Sequence, residues 1–415
     1  MRSELNSVKV AENTYWVGIV DDRKVPFHRL ILEKGTTYNS YLMMTEKPTL
    51  IDTVDIAFGR EFVEQMSSLM DLDELAYIVI NHVEPDHAGA LPALLRKATN
   101  AVIVTTSLGA ELLKDMFRIK NREFLIIKDG DSLDIGGKTL QFFETPYLHT
   151  AETMITYAVE DKTLYPCDQF STHMAAHELF NDLAQEDYLP DFETYYKLIM
   201  GPHRPYVRKM LEKIAGLEIN MIAPSHGYIL REDPQRFISL YDEMSTLSTS
   251  GETKKVTIVY STMTGNTRKL AQQLAEAIAD YGMVVDEYNL RDADLKEVAD
   301  SIRSSDGLLV GSSTRYADMV GDIEKLLQEL AESEMRRIPA AAFGSYGWSG
   351  EATLHIENYL EQAGFQVINE RHLLGNHGYD MSLFPLRVKF IDEKALERAR
   401  QAGELFGEKV LTYTA

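Results

Sequence analysis

His82-Val83-Glu84-Pro85-Asp86-His87 follows the short apolar run Ala76–Ile80 and packs four potential metal ligands into six residues. In an extended loop residues 82, 84 and 86 project to one side, Pro85 stiffens the backbone, and Asp86 is placed to cap a following helix. Further candidate ligands stand at comparable places: His149 after Thr139–Thr145, Asp168 after Thr163–Tyr165, and His226 after Ile219–Ala223. Functional side chains often gather on loops at strand ends. Three carboxylates and four neutral imidazoles offer a charge of −3 against the +4 of two divalent ions, and a bridging hydroxide completes the balance. Such a mixed donor set with open positions suits iron, although zinc would also bind.

Outward from this motif, Thr14–Val20, Arg29–Leu32, Tyr38–Met43 and Thr49–Asp52 read as successive strands, rich in β-branched and aromatic residues. Ala76–Ile80, Ala101–Thr105, Phe124–Ile127 and Ile219–Ala223 then alternate with helix-period stretches. Gly136-Gly137 between Ser132–Ile135 and Lys138–Phe143 signals a hairpin. The pattern predicts sheets faced by helices.

Ser-Thr-Leu-Ser-Thr-Ser-Gly-Glu-Thr-Lys-Lys, ending at Lys255, reads as a linker, dividing the chain into domains 1–250 and 254–415. Beyond it, Val256–Tyr260, Val284–Tyr288, Gly307–Gly311, Ala340–Gly344 and Gln366–Leu373 alternate with helices, the rhythm of a doubly wound parallel five-stranded sheet. Three loops at the carboxyl ends of these strands invite a phosphorylated ligand. Ser261-Thr262-Met263-Thr264-Gly265-Asn266-Thr267 leads into a helix, where backbone N–H groups and hydroxyls hold a phosphate without a cationic side chain. Ser313-Thr314-Arg315-Tyr316 and Ser345-Tyr346-Gly347-Trp348-Ser349-Gly350 supply aromatic rings to flank a flat cofactor. No G-x-G-x-x-G fingerprint accompanies them.

The bulk composition narrows the function further. At 415 residues two cores are expected. The net charge of −22 repels phosphate backbones and anionic lipid, so nucleic acid is not an expected partner. No apolar stretch approaches the ~18 residues needed to cross a bilayer, so no membrane association is expected. Met1-Arg2-Ser3-Glu4-Leu5-Asn6 lacks the apolar core of a signal peptide, and a cytoplasmic location is expected. The single cysteine, Cys167, excludes internal disulfides and Cys-x-x-Cys metal sites.

His-x-Glu-x-Asp-His resembles the metal motif of the metallo-β-lactamase superfamily, with glutamate in place of the middle histidine; His149, Asp168 and His226 follow in that superfamily's order. The loop 261–267 resembles the flavodoxin phosphate loop. The two in this order resemble the flavodiiron proteins over nearly the whole chain, and Gly35–Leu42 and Ser225-His226-Gly227 match as well. The resemblance implies an αββα metallo-β-lactamase-like sandwich followed by a flavodoxin-like domain. It implies that His82, Glu84 and His149 bind one iron, that Asp86, His87 and His226 bind the other, and that Asp168 bridges them. FMN would lie on the three loops.

Family members reduce dioxygen to water or nitric oxide to nitrous oxide. Their electrons come from a rubredoxin-like protein or a reduced deazaflavin coenzyme. The resemblance also implies a head-to-tail homodimer or a dimer of dimers, FMN of one chain serving the irons of the other. A dinuclear zinc hydrolase with a regulatory flavodoxin domain is the alternative, and a flavin carrier with a metal-free scaffold a third.

The sequence departs from the family where Thr150-Ala151-Glu152 replaces Trp-Pro-Asp and where Gln169-Phe170-Ser171 replaces smaller residues. His173 and His177 have the i,i+4 spacing of a helical metal pair but lack a third partner and read as solvated or outer residues. His28 matches a family position near the substrate pocket, and Cys167 reads as a small buried residue.

Overall fold

The computed structural model describes residues 7–24, 26, 27, 30–246, 253–333, 335, 337–369 and 383–413. The amino-terminal hexapeptide, His28, much of the polar segment before Lys255 and the end of the predicted strand Gln366–Leu373 lie outside the described residues. The chain divides into two compact units, Met1–Thr246 and Leu247–Ala415.

In the first unit a seven-stranded sheet runs in the order Val8–Ala11, Thr14–Trp16, Tyr41–Met43, Thr49–Ile51, Tyr77–Val79, Val102–Thr105, Phe124–Ile126. It is antiparallel up to Thr49–Ile51 and parallel beyond. A second sheet of five strands runs Ser132–Asp134, Thr139–Glu144, Met154–Ala158, Thr163–Tyr165, Met221–Ile222. Strand periodicity sorts the core into three layers. Tyr41, Met43, Ile51, Val79 and Val104 meet Phe142, Met154, Tyr165 and Met221 between the sheets. Their neighbours Leu42, Leu50, Ile78 and Ile103 face the other way, onto Phe62, Val63 and Met66 of helix Gly59–Leu69. Phe143, Ile155, Leu164 and Ile222 likewise pack on helices Leu189–Tyr195, Arg204–Ile214 and Pro234–Ser245. Each fully buried side chain of this size contributes about 1.5–3 kcal/mol, so a one-residue slip of any strand is strongly opposed. The result is the αββα sandwich.

Gly136 and Gly137 take φ of 79° and 90°, the left-handed pair that a two-residue hairpin turn requires, and Ile135 N–H bonds Lys138 O across it at 2.9 Å. Two predicted strands are broken: Thr14–Val20 at Val17-Gly18, and Tyr38–Met43 at Asn39-Ser40. Gly18 is needed there, because a Cβ would stand 2.1 Å from Tyr38 O.

The second unit holds a parallel sheet in the order Val284–Asn289, Lys255–Ser261, Gly307–Ser313, Pro339–Ser345, Gln366–Val367. This is the doubly wound flavodoxin order, 2-1-3-4-5. Val256, Ile258 and Tyr260 face helices Asn266–Ala279 and Glu393–Thr412, whereas Val259, Val310 and Ala342 face Leu295–Arg303, Ile323–Ala331 and Ala352–Gln362. The edge position differs from the sequence expectation. Among the described residues Gln366–Val367 pairs with Pro339 and Ala340, and a further parallel strand, Leu386–Val388, pairs with Phe343–Ser345. With Leu386 and Val388 buried, it occupies the half of the edge beside the binding loops.

Candidate functional site

Three of the four metal-site loops leave the second sheet at one edge. Thr163–Tyr165 is parallel to Met221–Ile222, and Thr139–Glu144 points the same way because each is antiparallel to Met154–Ala158. His149, Asp168 and His226 therefore emerge together. The fourth loop follows Tyr77–Val79 in the facing sheet. Asn81 ties the two sheets beside the site: it donates to both Asp52 oxygens, its side-chain oxygen accepts from Thr156, and its carbonyl from Met154 N–H.

The motif 82–87 differs in one respect from its expected shape. Pro85 opens a short helix, Pro85–Ala88, so Asp86 sits inside the first turn and is not a cap. Proline suits that first position, its missing N–H being one that the helix leaves unbonded anyway. Extended alternation thus carries His82 and Glu84, and the helical turn swings Asp86 and His87 to the same centre.

All seven predicted ligands converge. Asp168 Oδ2 lies 3.8 Å from His82 Nε2 and 3.2 Å from His149 Nε2, while Glu84 Oε2 is 3.5 and 3.6 Å from the same two nitrogens. Asp168 Oδ1 lies 3.2 Å from His87 Nε2 and 3.3 Å from His226 Nε2, with Asp86 Oδ2 at 3.1 and 3.2 Å from them. Each oxygen of one carboxylate thus faces its own trio. Bonds of about 2.1 Å to a central ion put neighbouring donors roughly 3.0–3.4 Å apart, which the Asp86 trio matches and the His82 trio meets loosely. His82 Nε2 and His87 Nε2 are buried without a hydrogen bond. Such an atom costs about 1–3 kcal/mol unless a ligand or ion meets it, so the donor set fits two cations. Burial would raise the pKa of Asp168, but His87, His149 and His226 hold it well below the usual carboxylate range.

A second layer fixes the rings. His82 Nδ1 is 2.7 Å from buried Glu152, which burial pushes up but His82 holds down at about 2, and 3.1 Å from Thr150 Oγ1. His226 Nδ1 donates to Thr37 O at 2.7 Å, and His87 Nδ1 lies 3.5 Å from Cys167 Sγ. Burial raises the Cys167 thiol to about 11, so it remains a protonated neighbour. Cys167 and Phe170, at φ of 58° and 63°, give the Asp168 loop a left-handed backbone on both sides, strain of a kind that gathers at functional sites. Phe170 is absorbed by stacking on Tyr241 at 4.1 Å, and Ser171 accepts His226 N–H at 3.2 Å.

Some expectations change and some residues are new. His173 and His177 are not on a helix, so the spacing argument for a helical pair fails. His173 packs against His226 with ring centroids 5.0 Å apart, and His177 pairs with Asp22 at 2.7 Å. Tyr195 is also drawn in: burial, then the charge of nearby Asp168, push its pKa well above the ordinary phenol value. No local motif marked Tyr195, and Glu152 stood out only within the departure Thr150-Ala151-Glu152; the contacts of both arise across the sandwich.

In the second unit the three loops meet through hydroxyls. Thr267 Oγ1 lies 3.1 Å from Ser313 Oγ and 2.9 Å from Ser345 Oγ, Met263 N–H donates to Ser313, and Gly265 N–H to Thr262. Thr314 N–H bonds Ser345 O, and Ser261 is buried against Gly321, where a Cβ would stand 2.4 Å from its hydroxyl. Gly265, at φ 83°, hands the chain into helix Asn266–Ala279, and a Cβ on it or on Gly347 would meet nothing within 4 Å. That open cradle at a helix start fits the phosphate and ring of a flavin nucleotide.

Tyr316 and Trp348 are 88% and 92% exposed. Arg315 lies over the Tyr316 ring at 4.8 Å. Gly350 is structural, since a Cβ there would press the Tyr346 ring at 2.9 Å. Arg387, unforeseen in the sequence, lies over Tyr346 and donates to Ser349 O at 2.6 Å.

Residues 36–227 match the ODP family beta lactamase and residues 258–400 the flavodoxin family. An anaerobic nitric oxide reductase flavorubredoxin from Aeromonas hydrophila is 38% identical over 369 residues, covering 87% of this chain and 74% of that protein. Its counterpart from Pectobacterium atrosepticum is 37% identical, covering 87% and 72%. Among solved structures, the flavodiiron protein of Giardia intestinalis shares 30% identity at a TM-score of 0.58, covering 100% of this chain and 98% of that one. The rubredoxin oxygen:oxidoreductase of Desulfovibrio gigas shares 29% at 0.56, covering 97% and 98%. These relatives are redox enzymes, which sets aside the zinc hydrolase and the metal-free carrier. With both domains matched in this order, the chain belongs to the flavodiiron proteins, oxidoreductases carrying FMN and a non-haem diiron centre.

Proposed function

We propose that the chain reduces nitric oxide to nitrous oxide, dioxygen to water, or both, with electrons delivered through FMN from a separate donor. In this reading His82, Glu84 and His149 hold one iron, Asp86, His87 and His226 the other, and Asp168 bridges them. The observation that carries it is the division of Asp168, one oxygen toward each trio. Reduced FMN and a diferrous pair hold two electrons each when bound, enough to take dioxygen to water or to couple two nitric oxides.

The protein's own part is positional. Glu152, Thr37 and Cys167 orient the ligand rings from behind, which holds their Nε2 atoms toward the centre. The loops 261–267, 313–316 and 345–350 would hold FMN. The relatives' printed activities support both gases, and the name of the Desulfovibrio gigas protein supports a rubredoxin-like donor, with a reduced deazaflavin coenzyme the other candidate. A head-to-tail homodimer, or a dimer of such dimers, is proposed on the family resemblance. No described helix is long and apolar enough to cross a membrane.

Anaerobic purification followed by metal and flavin analysis should return near two irons and one FMN per chain. Stopped-flow mixing of the reduced protein with each gas then ranks the substrates. Two zincs per chain and no reoxidation by either gas would refute the reading.

A further inference from the structure

The reaction class proposed above consumes protons: dioxygen takes four protons and four electrons to two waters, and two nitric oxides take two of each to nitrous oxide and one water. The electrons come from the external donor through FMN, but the protons must reach a centre whose ligands Asp86, His87, Asp168 and His226 are all buried. The opposite flank is partly open, with the side chains of His149 and Glu84 14% and 24% exposed.

A cavity of about 160 Å³ lies between residues 32–34 and helix Leu189–Tyr195. At about 30 Å³ of liquid per water, it has room for several. Its lining includes His173 and Tyr195, the residues that pack on His226 and neighbour Asp168. His173 is held by Thr36 Oγ1 at 3.1 Å from its Nδ1, and its ring meets that of Tyr195 at 4.9 Å. Leu32 and Thr194 form further wall. Toward solvent, Lys34 bridges to Asp191 at 2.8 Å, with Glu186 at 3.9 Å, and Glu33 also lines the cavity. Glu33 is itself paired with Lys24 at 3.1 Å, so the mouth sets three carboxylates against two ammoniums and keeps a net negative charge.

We propose that this cavity is an aqueous port of the diiron centre. It passes protons, water and small molecules to the Asp168–His226 side, and the negative mouth slows anions relative to neutral gases. The inference rests on the proposed metal assignment, since a port needs a centre to serve. Field focusing by like charges at a narrow low-dielectric mouth is the physical basis of the selectivity, and salt screens it.

The test uses the full chain loaded with iron and FMN, both quantified. Azide serves as the anionic probe, its binding to the oxidised centre followed by the charge-transfer absorption; nitric oxide turnover serves as the neutral one. Thr194→Trp, which narrows the mouth, should slow azide association and dissociation together by at least about fivefold, leaving the azide Kd, iron and FMN unchanged. Glu33→Gln/Asp191→Asn should speed azide association about two- to fivefold at low salt, with no gain at high salt and an unchanged KM for nitric oxide. An exposed ion pair such as Lys34–Asp191 contributes only about 0–1 kcal/mol, so this variant folds. If Thr194→Trp retains both metals and wild-type azide rates, ligands enter at the His149–Glu84 flank and the port is wrong. If Glu33→Gln/Asp191→Asn leaves the salt dependence of azide association unchanged, the mouth selects nothing. A wild-type chain that loads no iron instead overturns the metal assignment, and the port with it.

Discussion

Glu152 Oε1 stands 2.7 Å from His82 Nδ1 and accepts the Val83 backbone N–H at 3.2 Å, so one buried carboxylate fixes both the ring and the backbone of the first predicted ligand. Thr150 and Glu152 belong to the segment that departs from the family's Trp-Pro-Asp. The departure keeps a carboxylate at its third position, one methylene longer, and loses the tryptophan and proline. Outer partners of this kind typically contribute 10–100-fold to metal affinity or activity.

Glu152→Gln should therefore loosen the iron assigned in this proposal to His82, Glu84 and His149 by roughly 10–100-fold while leaving FMN bound. Iron remaining per chain after timed dialysis against a chelator measures it. Retention equal to wild type would mean that His82 is positioned without Glu152.

Asp168→Ala should abolish gas reduction and leave flavin content unchanged, because the proposed bridge belongs to one compact unit and the proposed FMN loops to the other. The variant also removes the carboxylate that both trios share. Turnover retained with iron still paired would refute the bridging role.

Gly265→Val should weaken FMN binding at least about tenfold without altering iron content. Its φ of 83° lies where a β-branched residue is strained by about 1–3 kcal/mol, and relief would move the loop that opens helix Asn266–Ala279. Fluorescence titration of the apoprotein with FMN reads the affinity. Wild-type affinity would show that this turn does not shape the cradle.

Cross-chain pairing predicts rescue between defective chains. A His82→Ala/His149→Ala chain and a chain disabled at Gly265 and Asn266 should each be inactive alone. Random reassortment makes half the dimers mixed, each with one competent pair, so activity near about a quarter of wild type is expected. Verified mixed dimers that stay inactive would rule out the head-to-tail arrangement.

Much of this site was legible before any folding because its information is local. His82, Glu84, Asp86 and His87 lie within one turn-forming stretch, and each remaining candidate follows a recognisable strand, so spacing and residue type single out the seven side chains that the fold brings together. The short apolar runs Ala76–Ile80 and Ala101–Thr105 likewise read as buried strands, although which side chain faces which layer was set only by the fold. The candidate flavin loops stood out for the same reason, as glycine and hydroxyl residues at strand ends.

Tertiary structure alone decided the rest. That Asp168 turns one oxygen to each trio depends on two sheets meeting at one edge. Glu152, Tyr195 and His173 acquire their places from chain segments tens of residues away, and no local pattern encodes such contacts. Spacing left His173 and His177 as solvated or outer residues, and only the fold shows that their segment is not helical, with His173 against His226 and His177 on Asp22. The edge strand Leu386–Val388 was missed because three residues carry too little periodicity to compete with a loop; burial against Phe343–Ser345 is what makes them a strand.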